Sequence, residues 1–130
     1  MPMQIGEAAA QSGVSAKMIR YYEQIGLVPR SARQPQGYRD YDDRDVNRLR
    51  FVARARDLGF SIKEIAELLR LYSDRRRSSA DVKRIALSHV AELETRIRSM
   101  RQLKRTIQEL ADRCHGDQRP DCPILDDLAR

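Results

Sequence analysis

The sequence predicts a mainly α-helical chain with one small β wing. Three observations carry this. Short apolar-periodic segments separated by glycines fill the first seventy residues. From Ala80 to Arg113 there is no glycine and no proline, and apolar residues recur at steps of four and three. Beyond that, the only two cysteines bracket a short polar stretch, Cys114 to Cys122, with seven residues between them.

Ile5 to Ser12 reads as a first helix, with Ile5, Ala8 and Ala9 on one face and Gly13 as its breaker. Ser15 caps a second helix to about Gln24, with Met18, Ile19 and Tyr22 as its apolar side. Gly26 and Pro29 end it. Two short helices joined by a glycine-containing turn form the helix-turn-helix plan. Residues 29–41 are rich in Pro, Gln, Gly and Arg and read as a hairpin or wing. A third helix runs from about Asp42 to Leu58, with Val46, Leu49 and Ala53 inward, and stops at Gly59. Ser61 and Glu64 form a capping box for a fourth helix ending near Tyr72, and Phe60 staples to Ile65.

The seam Ala86, Val90, Leu93, Ile97, Met100, Leu103, Ile107 and Leu110 spans more than three heptads. A helix of that length is roughly 50 Å long. No other segment can cover its stripe, so a homodimer is expected. Pro123 opens a last short helix. The organisation is a head at 1–73, a hinge at 74–79, a dimerisation helix at 80–113, and a loop with a short helix at 114–130.

Charged residues make up 34% of the chain, and the formal charge is +6. A small basic protein favours polyanions. The cations are spread through the head and along helix flanks, not set opposite an aromatic face, which argues against a membrane surface. No apolar run approaches the ~20 residues that span a bilayer, and the first residues do not read as a signal peptide. A cytoplasmic protein with reduced thiols is expected. Paired carboxylates, a nucleophile dyad and a phosphate loop are not found, so an enzyme is not expected.

In the head, Lys17 and Arg20 are candidates for phosphate or base-edge contacts from the second helix, with Tyr21 and Tyr22 beside them. Arg33, Tyr38 and Arg39 in the wing are candidates for flanking phosphate. Arg54 and Arg56 are weaker candidates, since exposed helix arginines are common. Cys114 and Cys122, in a polar loop with Gly116 and Pro120, do not look like core. Two soft thiolates suit a soft ion such as Cu(I). With a monovalent ion they leave one net negative charge, toward which the helix starting at Pro123 points its positive end. Lys83 is a further candidate to meet that charge. Ser78 or Ser79 caps the long helix. His115 adjoins Cys114 but is expected to face solvent, and His89 is expected to be a tolerated interface residue.

The segments Ile5-Gly6-Glu7-Ala8-Ala9, Met18 to Leu27, Gly37-Tyr38-Arg39-Asp40-Tyr41 and Arg56 to Ile65 strongly resemble the MerR family of transcription regulators. Ser78 to Lys83, and Cys114 to Cys122 with Pro123-Ile124-Leu125, resemble its copper-responsive (CueR-type) branch. The resemblance implies a winged helix-turn-helix head, an antiparallel coiled-coil dimer and a C-terminal metal loop. It implies a homodimer on double-stranded promoter DNA that distorts an over-long spacer for RNA polymerase when metal binds. The ion would be Cu(I), with Ag(I) or Au(I) tolerated. In this resemblance divalent sensors carry a cysteine at the position of Ser79 and monovalent sensors a serine. A zinc-type sensor and a thiol redox switch are the alternatives.

Overall fold

The computed structural model describes residues 3–30, 32–33 and 39–130, with backbone only at 32, 33 and 39. Six helices and two short strands occur among them: α1 (Ile5–Ser12), α2 (Ala16–Gln24), β1 (Ala32–Arg33), β2 (Arg39–Asp40), α3 (Asp43–Asp57), α4 (Ile62–Ser73), α5 (Ser79–Arg113) and α6 (Pro123–Leu128). The chain divides into two compact units, Met1–Ile85 and Ala86–Arg130.

In the first unit α1 packs on α2 and α3, and α3 packs on α4. The turn between α1 and α2 follows from its residues. Gly13 takes φ 77°, a left-handed conformation that disfavours a side chain, and its N–H closes α1 on Ala9 O at 3.0 Å. Val14 N–H then donates to Ser12 Oγ at 3.2 Å. Ser15 caps α2 by accepting from Met18 N–H at 3.2 Å.

The core is one cluster in which Ile19, Leu49, Ile65, Val46 and Val52 are essentially sealed. Each such side chain contributes about 1.5–3 kcal/mol by leaving water. In α3 the inward residues are Val46, Leu49, Val52 and Ala55. Ala53, expected inward, sits only at the edge of the cluster, because the inward positions step by three along this helix. Asp42 caps α3 through a reciprocal box with Asp45, a feature the sequence reading missed. The Ser61–Glu64 box on α4 is present as expected, and Phe60 packs on the cluster that holds Ile65. Phe51 and Tyr72 join α3 to α4, their ring centroids 5.1 Å apart.

β1 and β2 pair antiparallel, Ala32 with Asp40 and Arg33 with Arg39. Just past β2, Tyr41 exchanges two 2.7 Å backbone hydrogen bonds with Met3, tying the wing to the start of the chain. The segment after α4 is a folded turn. Asp74 accepts from Arg76 N–H through Oδ1 at 2.8 Å and from Arg77 N–H through its carbonyl at 3.2 Å.

The start of α5 is capped by Ser78, whose Oγ accepts from Ala80 N–H at 3.1 Å, so Ser79 is the first helical residue. In the second unit the apolar stripe lies open. Val90, Ile97, Met100, Leu103 and Ile107 are all exposed, Met100 at 68%. Leu93 is half-covered and Leu110 is buried.

Candidate nucleic-acid interface and metal loop

The helical period splits α2 into two faces. Ile19, Tyr22 and Glu23 face the core, whereas Lys17, Arg20 and Tyr21 face water. Tyr21 and Tyr22 stay in touch, with ring centroids 5.9 Å apart, yet they occupy different environments. Tyr22 is 5% exposed, which corrects its expected place at the DNA surface. Its ring packs into the head core on the side of α2 opposite Arg20. Tyr21, at 45%, remains available.

The wing's Arg33 and Arg39 stand opposite each other in the antiparallel register, while Tyr38 lies outside the described residues. Arg54 and Arg56 are exposed in the last turn of α3.

A buried polar contact supports this face from behind. Tyr41 Oη donates to Glu23 Oε1 at 2.8 Å, with both residues almost sealed from water. Sequence reasoning passed over Glu23. The available signal was a carboxylate on the Ile19 and Tyr22 side of an amphipathic helix, where a charge must find a donor.

Cys114 follows α5 directly, and its N–H donates to Ala111 O at 3.1 Å. Cys122 is the N-cap residue of α6. Both thiols are free and half-buried. Arg113 and Pro123, the chain neighbours of the two cysteines, line one cleft together with Leu110 and Asp126. The short α6 thus lines the same cleft as the end of α5. Within the loop Gly116 takes a left-handed φ of 66°. Asp117 then accepts from Arg119 N–H and from Arg119 Nε, both at 2.9 Å. These contacts with Arg119 hold the Asp117 carboxyl below the usual aspartate range.

Two free thiols at the ends of one short loop suit a soft ion that accepts few ligands. They fit a structural zinc site poorly, since that needs four ligands. His115 is exposed. His89 departs from its expected place. It is 4% exposed within the single chain, so it does not belong to the open stripe, and its Nδ1 lies 3.8 Å from Glu92 Oε2. Ser79 and Lys83 are exposed at the start of α5. The 35-residue helix separates Ser79 from Cys114 by about 50 Å along its axis.

A helix-turn-helix head with a wing, followed by a long helix with an uncovered apolar stripe, defines a DNA-binding regulator rather than an enzyme. The family comparisons agree. A model described as MerR HTH family regulatory protein matches residues 3–72, and one described as MerR, DNA binding, matches residues 46–110. The chain belongs to the MerR family. It is 58% identical over 127 residues to "Heavy metal-dependent transcription regulator 2" of Rhizobium meliloti, covering 98% of this chain and 86% of that protein. It is 41% identical to the HTH-type transcriptional regulator CueR of Salmonella typhimurium, over 98% of this chain and 92% of that one. Among solved structures it resembles PbrR691 of Ralstonia metallidurans in complex with lead(II). That match has a TM-score of 0.83 and 30% identity, and covers 97% of this chain and 98% of the other. Among the described residues, no helix is long and apolar enough to cross a membrane.

Proposed function

We propose that this chain is a cytoplasmic, metal-responsive transcription activator that binds promoter DNA as a homodimer. In this reading Cys114 and Cys122 hold one Cu(I), and Ag(I) or Au(I) can replace it. The observation that carries the reading is a free, half-buried thiol at each end of the short loop between α5 and α6. Relatives named for heavy-metal dependence and CueR support a metal as effector.

The preference for a monovalent ion rests on ligand count and charge. Two thiolates and Cu(I) leave one net negative charge. A divalent ion would call for a further anionic ligand, and this chain has no third cysteine to offer. Ser79 stands where the family's divalent sensors carry one. Ser79 and Lys83 lie at the far end of α5 from their own chain's thiols, so they join the site only from a second copy running antiparallel.

On DNA, Lys17, Arg20 and Tyr21 present the α2 face to the major groove, and Arg33, Tyr38 and Arg39 flank it from the wing. Metal uptake orders the loop and shifts the spacing of the two heads. The promoter spacer is then distorted so that RNA polymerase can start. DNA affinity changes little between the two states.

The test is uptake of Cu(I) by the reduced protein beside its Cys114→Ser and Cys122→Ser variants. The reading expects one ion per subunit in the parent and loss of tight uptake in either variant. Equal uptake by parent and variants would refute the ligand assignment.

A further inference from the structure

From Ala86 the apolar steps of α5 are four, three, four and three, up to Met100. Val90 and Ile97 hold one seam position, and Leu93, Met100 and Ile107 the other; past Met100 the apolar stripe turns to Leu103, and the strict heptad puts Lys104 in line with Ile97. Both faces of the seam are exposed at Ile97 and Met100. The flanking position directly after the second seam residue holds Glu94 and, one heptad later, Arg101. Both are exposed. Arg98, which lies within reach of Glu94 on the same helix, instead donates to Thr95 Oγ1 at 3.2 Å.

We propose that Glu94 of one copy pairs with Arg101 of the second copy, twice by symmetry, and that this pair fixes the register of the dimer helices. This rests on the homodimer proposed above. In an antiparallel seam the two kinds of apolar position meet each other, and like flanking positions meet across the interface. Setting Ile97 against Met100 of the second copy brings Glu94 beside the opposite Arg101. Sliding the helices by one heptad in one direction sets Glu94 against Glu94. Sliding them in the other direction sets Arg101 against Arg101. Both neighbouring registers still set the two kinds of seam position against each other, so the charges decide among them. Lys104 falls opposite Leu93 in the chosen register, where its stem covers the leucine and its ammonium reaches water. The same register brings Lys83 level with Cys114 of the second copy, so the charge pair at mid-helix sets what meets the thiol loop about 25 Å away.

The test uses the full chain. Glu94→Arg and Arg101→Glu are each expected to weaken dimerisation on the order of tenfold, measured by sedimentation, because each sets two like-charged pairs face to face. The double variant E94R/R101E is expected to restore it. A spin label on Thr106→Cys, in a background of C114S/C122S, reads the register itself, since a slip of one heptad moves the two labels by about 10 Å along the axis. Recovery in the double variant, with the parent's label distance, supports the pair. A dimer indifferent to both single swaps, or a double variant as weak as the singles, overturns the pair and leaves the homodimer standing. A parent chain that sediments as a monomer overturns the homodimer and the pair with it.

Discussion

Tyr41 Oη donates a 2.8 Å hydrogen bond to Glu23 Oε1 behind the exposed face of α2. Tyr41 also holds the wing to Met3 through the backbone, so one residue links wing, chain start and recognition helix. Removing this hydroxyl weakens the support of a buried carboxylate. Tyr41→Phe is expected to cost about 1–3 kcal/mol in urea unfolding. Unchanged stability would mean that the contact contributes nothing to the head.

The capping box of α4 makes a smaller prediction. Ser61 Oγ accepts from Glu64 N–H at 3.2 Å, and Glu64 Oε1 accepts from Ser61 N–H at 2.8 Å. Ser61→Ala leaves one helix-end donor to water and should lower stability by about 1 kcal/mol. A thermal melt with an unshifted midpoint would contradict this.

Arg20 points to water while its helix neighbour Ile19 is sealed in the core. Arg20→Ala should therefore leave folding intact and weaken DNA binding. If the contact is to phosphate, the slope of affinity against salt falls by about one. Measuring affinity over a salt series for DNA selected from a random pool checks this. Parent-like affinity at every salt concentration would remove Arg20 from the interface.

Asp117 predicts a pH effect in the thiol loop. Its contacts with Arg119 lower its pKa from 3.8. A depressed carboxylate contributes stability that is present above its unfolded value and lost as the pH falls through the folded one. The turn should thus hold at neutral pH and loosen only below about pH 4. A proton NMR titration of the Arg119 amide should show its main shift below pH 4, and a midpoint above 5 would contradict the turn.

Much of the head was legible because its signals are local. Gly13 and Gly59 sit where helices stop, and Ser15 and Ser61 cap the helices that the sequence assigned to them. The errors arose where the answer depends on which face packs. Ala53 lies at the edge of the α3 stripe, where one helical step decides between core and surface, whereas Tyr22 lies within the apolar side of α2 and is taken up by the core, not the DNA face. Glu23 was invisible because its partner Tyr41 is remote in sequence and reaches it only after the wing has folded back. His89 was read from its spacing along α5, which says nothing of what covers it. The cysteine loop stood out from composition alone, but the cleft that α6 lines together with Arg113 depends on how the chain folds after the loop.

The most direct test of the account is an anaerobic titration of the reduced protein with Cu(I) against a competing chelator, with Zn(II) run in parallel. The account predicts tight uptake of one Cu(I) per subunit and weak binding of zinc. Weak uptake of Cu(I) alongside strong uptake of zinc would contradict it and point to a divalent sensor. Uptake of neither ion would contradict it as well and leave Cys114 and Cys122 as a thiol redox switch.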